Sequence, residues 1–327
     1  MKRNFKTGKR HGRGIEFRIF SEAELGDIHA ATLEVLWKTG VYVEDEGAIE
    51  MFADGGANVD LESKIVKIPP FMVEDAVNSA PEIILLAGRD PKNDILLEPG
   101  RVAFDCFGEG IQMIDPETRE TRVPKRDDLA NITRLVDALE HIDFCHRAVG
   151  CHDVPAEVVV LYNVEAMLNN TTKHCLMGGG SGYLVKKAIE MLAVVAGGKN
   201  KLAERPLMTL AACSVTPLRM PRDLCEILLE TARAGLVTKC LSQCMAGGSS
   251  PVTLAGTLVL HNSEVLSACV LSQLAKRGAP FIYASSSCTM DLRYGACSVG
   301  TPETALLNAA VTQIGKYYLL PVQVAGG

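Results

Sequence analysis

Six apolar segments of this chain run into small, polar or glycine-rich clusters, and those clusters hold the side chains that could do chemistry. The clusters are Gly150-Cys151-His152-Asp153, Gly178 through Gly182, Ala212-Cys213-Ser214, Gln243 through Gly248, Ser285-Ser286-Ser287 and Gly326-Gly327. Glycine lets a backbone come close to a ligand. Small hydroxyl side chains offer hydrogen bonds without filling the space. Gln243, Ser285 and Ser287 are the candidate pocket residues by position. Asp291 follows the serine run, Tyr283 would form a wall, and Gly326 and Gly327 close the last cluster.

Other spacings suggest other chemistry. Gly178–Gly182 precedes a helical segment and could cradle a phosphate. It lacks the Lys-Ser/Thr ending of a phosphate loop. Cys145-His146 and Cys151-His152 are metal-ligand types, but neighbouring strand residues point to opposite faces. No C-x-x-C occurs, and Cys240 with Cys244 would give only two thiols. No metal site is expected. Glu109, between Gly108 and Gly110, reads as a hairpin residue with a pocket role left open.

The elements that would position these clusters are legible. Ser21 and Glu24 make a capping box before the stripe Leu25, Ile28, Val35 and Leu36, which Gly40 ends. A strand over Ile65–Ile68 and a helix over Pro69–Asn78 follow. Strands are expected over Glu82–Ala87 and Arg101–Phe107, and a hairpin over Gly110–Val123 turning at Asp115–Thr118. From Asp127–Leu139 onward, helices alternate with strands over Asp143–Val149, Lys173–Met177, Leu207–Cys213, Thr238–Met245, Phe281–Ser286 and Pro321–Ala325. The strands start 30 to 43 residues apart, the length of a βα unit. Helices are expected over Pro221–Gly235 and about Ser263–Arg277, with another opening at Thr301-Pro302.

The pattern predicts an α/β fold: a (β/α)8 TIM-type barrel, incomplete, with six of its eight strands. An N-terminal α/β extension occupies residues 1–125, and the partial barrel residues 126–327. In such folds function gathers at the C-terminal strand ends, where the clusters lie.

A net charge of -6 gives no basic footprint for nucleic acid. The basic N-terminus, Lys2 to Arg13, reads as a solvated arm without the apolar core of a signal peptide. No apolar run reaches the ~18 residues of a membrane span. The eleven cysteines sit in apolar segments and read as small buried hydrophobes of a reducing cytoplasm.

Two long motifs carry a resemblance. Met245–Gly256, Glu264-Val265-Leu266 and Gly278-Ala279-Pro280, then Met290–Ala296, Pro302-Glu303 and Tyr317–Pro321, are together similar to the trimethylamine:corrinoid methyltransferase family. The similarity runs from Glu22 to the last glycine. It implies a barrel enzyme that moves a methyl group from trimethylamine to a corrinoid (cobalamin) carried by a cognate corrinoid protein, as in methanogenesis from methylamines. No cofactor would be bound directly, and a homo-oligomer is expected. In the pyrrolysine branch an amber codon follows a Gly-Gly after the sixth strand. The resemblance therefore implies pyrrolysine directly after Gly327, and an inactive, aggregation-prone chain without it. The alternatives are a member without pyrrolysine acting on a quaternary amine such as glycine betaine, and a non-catalytic scaffold that binds a corrinoid protein.

Overall fold

The computed structural model describes residues 9–10, 17–98, 101–106 and 108–325. Six parallel strands carry the repeat. They are β1 (Cys145–His146), β2 (Cys175–Gly178), β3 (Met208–Cys213), β4 (Val237–Ser242), β5 (Phe281–Ser285) and β6 (Val322–Val324). Four of the six predicted segments contain one of them, and the other two overlap theirs with a shift of one residue, at Gly178 and at Val237. The strand expected over Asp143–Val149 is the shortest, two residues, with single bridges from Phe144 to Asp105 and from Val149 to Gly110 extending it.

The chain forms two compact units. Of the described residues, those within 1–13, 83–211 and 234–237 make up one, and those within 14–82, 212–233 and 238–327 the other.

In the first unit, Cys145 pairs with Cys175 and Cys175 with Met208, all parallel. The helix α2 (Arg126–Ala138) packs on the helix Val159–Asn170 and covers this side. Leu129, Thr133 and Val136 face inward at i, i+4 and i+7; of the apolar stripe expected from the sequence (Leu129, Ile132, Leu135, Val136 and Leu139), Leu129 and Val136 are buried, while Leu135 and Leu139 are exposed. Its last turn is closed by Lys173, whose ammonium donates to the carbonyls of Val136, Leu139 and Ile142, each at 2.7 Å. The predicted hairpin is present, with Met113–Ile114 against Thr121–Arg122. The strand expected over Arg101–Phe107 shrinks to Arg101–Val102, and Phe107 lies outside the described residues. Lys9 and Arg10, expected in a solvated arm, instead pair with Val102 and Arg101.

In the second unit, Cys240 pairs with Tyr283 and Tyr283 with Val322; Ser242, Ser285 and Val324 form the matching row at the strand ends. Helix α1 (Glu22–Glu34) starts at Ser21 with the predicted capping box, continues as a wider turn over Val35–Thr39, and stops at Gly40 with φ +82°. A Cβ there would meet the Val66 carbonyl at 2.6 Å, which only glycine avoids. Helix α4 (Pro302–Tyr317) begins as predicted, with Thr301 capping and Pro302 in the first turn.

Helix α3 (Leu254–Ala275) departs from the sequence reading. It begins nine residues before Ser263 and ends at Ala275. Its length and composition would suffice to cross a membrane, contrary to the expectation that no segment would. Yet 72% of its most apolar window is buried within the protein, so it reads as a core helix. Nearly every residue from Thr257 to Gln273 is covered, and one of them is the acid Glu264.

The cysteine reading holds for Cys145, Cys151, Cys175, Cys225, Cys240, Cys244 and Cys269, which are buried and free. It fails for Cys213, which is exposed, is met only in part by half-buried Cys106, and fails for Cys288 and Cys297, which are bonded to each other across a hairpin of Cys288–Asp291 and Ala296–Ser298.

Candidate functional site

The site in the second unit is built from the ends of β3, β4 and β5. Ser214 follows β3, Ser242 ends β4, and Ser285 ends β5. Parallel pairing carries on past the strands. The Ser286 N–H donates to the Ser242 carbonyl at 3.0 Å, and that of Cys288 to the Cys244 carbonyl at 2.9 Å. Alternation then decides which side chains turn inward. Ser242 and Cys244 are buried, and Gln243 between them is exposed.

A single carboxylate organises the inward set. Glu264 of α3 is 2% exposed. One of its oxygens accepts from Ser214 Oγ and Ser242 Oγ at 2.6 Å and from Thr216 Oγ1 at 3.0 Å. The other accepts from the Leu218 N–H at 2.9 Å. Leu218 holds φ +55°, uncommon for a side chain of its size, so the carboxylate fixes a strained turn of the rim loop.

Cys244 lies within 3.2 Å of Ser242 Oγ. Burial, and then the negative charge of Glu264, push its thiol up to about 12. His261 is wholly buried, edge-on to Tyr283, with Nδ1 3.4 Å from Ser287 Oγ and no partner for Nε2. Burial drives its pKa down to about 3. Near neutral pH neither group can serve as thiolate or proton carrier. The arrangement therefore holds a shape and a charge; it does not activate a nucleophile.

The predicted pocket residues fall into this frame unequally. Ser285 and Ser287 are buried and adjoin the cluster. Ser285 Oγ accepts the Ser287 N–H at 3.0 Å, and Ser287 Oγ accepts the Cys244 N–H at 3.2 Å. Gln243 is exposed at the same rim. Tyr283 is fully buried, and its hydroxyl donates to Asn262 Oδ1 at 2.8 Å. Asn262 in turn donates to Thr32 and Tyr318. Asp291 sits in the hairpin beyond β5, half-buried, and accepts the Arg293 N–H. Gly326 and Gly327 lie outside the described residues.

Sequence reasoning gave no role to Glu264, His261, Asn262, Thr216 or Ser242. One signal was available. Glu264 is the single acid in the 22-residue apolar segment that forms α3, and buried acids persist only where their hydrogen bonds are met.

The first unit has its own rim cluster at β1 and β2. Glu109 accepts the Gly178 N–H at 2.8 Å and pairs with Arg147 at 2.7 Å. Burial raises the Glu109 pKa, but Arg147 and the Gly178 amide outweigh it and hold the carboxyl below its usual range. Its φ of +103° is strained. Beside it, His146 contacts Asp105 at 3.1 Å. Gly108 is held to glycine by this packing, because a Cβ would meet the His146 ring at 2.3 Å.

Parallel strands linked by helices, with a polar rim at their C-terminal ends, define the class of α/β enzymes to which (β/α) barrels belong. The family described as trimethylamine methyltransferase matches residues 5–327. The chain belongs to this family. It is 49% identical over 94% of its length to trimethylamine methyltransferase MttB of Desulfitobacterium hafniense, of which it covers 62%. It is 38% identical over 96% of its length to the MttB of Methanosarcina thermophila, of which it covers 66%. It is also 32% identical to the glycine betaine methyltransferase of D. hafniense, covering 65% of that protein. The chain thus spans under two thirds of the length of these curated relatives.

Among solved structures, the monomethylamine methyltransferase MtmB of Methanosarcina barkeri matches 93% of this chain and 67% of its own, with a TM-score of 0.54 and 12% identity. At that identity the likeness shows fold alone, and it bears out an incomplete (β/α) barrel with six strands.

Proposed function

We propose that this chain is part of a methyltransferase that moves a methyl group from a methylated amine to the cobalt of a corrinoid held by a separate protein. The observation that carries this reading is the family match across residues 5–327, joined to a polar rim at the ends of β3 to β5. The corrinoid enters as methyl acceptor, a substrate brought by its partner protein. Trimethylamine is the proposed donor, because the more similar relatives are named for it. A cytoplasmic setting and a homo-oligomer remain part of the proposal.

An amine is a poor leaving group until its nitrogen is quaternised or protonated. Pyrrolysine, which the resemblance puts next after Gly327, would supply an electrophilic imine for that purpose. The residues of this chain would do the rest. The strand-end hydroxyls and amides supply fixed dipoles. A rigid rim holds the methyl group in line, and orientation of this kind can contribute up to ~7–11 kcal/mol in ideal cases.

The relative named for glycine betaine gives a second reading, a quaternary amine donor. Methyl transfer to a corrinoid protein separates the two. It should be assayed with the 327-residue chain and with a chain continued to the full length of the relatives. The expected result is transfer from trimethylamine by the longer chain only. Turnover by the 327-residue chain would refute its dependence on pyrrolysine, and transfer from glycine betaine alone would select the second reading.

A further inference from the structure

Glu264 poses a question that hydrogen bonding alone does not answer. Its carboxylate is buried, and its four partners, Ser214, Thr216, Ser242 and the Leu218 amide, are all neutral donors. Among the described residues no lysine, arginine or histidine forms an ion pair with it. Most buried acids are matched by a cation, because an unmatched charge is costly in a low-dielectric setting. Here hydroxyl and amide dipoles stand in for water, and the negative charge is left uncompensated at the ends of β3 and β4. The charge reaches its surroundings. It helps push up the thiols of both Cys244 and Cys240. Cys213, Val215 and Gln243, which alternate with the buried rim residues, are exposed to solvent beside it.

We propose that Glu264 is a specificity-determining anion, buried behind the rim of β3 to β5, that makes this rim select a methylated ammonium cation over a neutral molecule of the same shape. The inference rests on the proposed amine substrate and adds the residue that reads its charge. Glu264 would not touch the ligand. Its field acts outward through Thr216, the one partly exposed residue of its three hydroxyl partners, while Ser214 and Ser242 are buried behind it. A preorganised charge of this kind needs no rearrangement when the ligand arrives. It also acts strongly at short range where water is excluded.

The test compares choline with its uncharged carbon isostere 3,3-dimethyl-1-butanol, titrated into the 327-residue chain and followed by calorimetry. The expected result is a preference for choline of about tenfold or more, from Coulomb attraction at low effective dielectric. Glu264→Gln, of matched shape, should largely abolish that preference while leaving the affinity for the isostere in place. Gln243→Lys adds an opposing charge on an exposed side chain, and it keeps the test open if Glu264→Gln does not fold. It should lower the preference too. Equal binding of the two compounds by the unaltered chain, or a preference that survives both substitutions, overturns the inference and leaves the methyltransferase reading intact. Binding of neither compound, by this chain or by a chain continued to the full length of the relatives, removes the rim as an amine site, and with it the structural support for that reading.

Discussion

Ser242, the last residue of β4, places its hydroxyl 2.6 Å from the carboxylate of Glu264, in the helix that follows that strand. The strand end and its own crossover helix are therefore tied by a short charge-assisted hydrogen bond. The same oxygen takes the hydroxyls of Ser214 and Thr216, so one acid holds two rim segments. Glu264→Ala should leave three hydroxyls and the Leu218 amide without their acceptor. The expected loss is at least about 3 kcal/mol, several hydrogen bonds to a charged group. Urea unfolding monitored by circular dichroism would measure it, and a loss under 1 kcal/mol (about one ordinary hydrogen bond) would show that water replaces the carboxylate.

Tyr283 was expected as a pocket wall, and its ring is instead wholly inside. Its hydroxyl donates to Asn262 Oδ1, whose amide nitrogen donates onward to Thr32 and Tyr318. Tyr283→Phe removes one donor and should cost about 1–2 kcal/mol. Asn262→Leu strands three partners at once and should cost more. The two unfolding curves give the ratio, and an Asn262→Leu loss no larger than that of Tyr283→Phe would show that the Thr32 and Tyr318 bonds add nothing beyond the Tyr283 bond.

The buried histidines set an acid limit. His174 Nδ1 donates to the Ala87 carbonyl and its Nε2 accepts from the Thr209 hydroxyl, and burial lowers its pKa to about 4. His261 is lowered to about 3 by burial. Each folded pKa lies below the unfolded value of about 6.5. The unfolded chain therefore binds protons that the folded chain refuses. Stability is full above pH 6.5 and falls as pH drops toward 4, by about 3 kcal/mol for His174 alone. Unfolding at pH 5 should take up close to two protons from these groups. Urea midpoints compared at pH 7.5 and pH 5 would detect the loss, and identical midpoints would contradict both assignments.

Lys173 closes α2 by donating to the carbonyls of Val136, Leu139 and Ile142. The Val136 and Leu139 carbonyls belong to the last turn and its cap, where a helix leaves acceptors unpaired, and Ile142 lies in the turn beyond. Burial lowers the pKa of the ammonium, and Asp137 and Asp143 counter that. Lys173→Met keeps the apolar stem and removes the three donors. The expected cost is about 2–4 kcal/mol. Hydrogen exchange in the last turn of α2 should speed up, and unchanged protection there would show that the cap is dispensable.

The repeat was legible from the sequence because apolar runs, caps and glycines are local signals. Ser21 with Glu24, Gly40 and Thr301 with Pro302 did locally what their types dictate. The central apolar runs became strands because their neighbours bury both faces, whereas β6, paired with β5, is half-buried throughout. The start of α3 was missed because Leu254–Asn262 has no charged side chain to mark a face; a helix covered all round has no stripe to read. Gln243 and Ser242 could not be sorted by type. Their one-residue offset along β4 sends one to solvent and the other to Glu264.

Chain composition and periodicity alone determined the class of fold, the strand ends where function would gather and the polar character of those ends. Tertiary structure decided which of the polar residues form a site. Ser214, Thr216, Ser242 and Glu264 are up to 50 residues apart and share no motif. They meet because parallel pairing aligns successive strand ends on one side, and because the helix after β4 turns its single acid toward them. Local propensity cannot specify that meeting. It follows from register and from the high cost of leaving a buried carboxylate without donors.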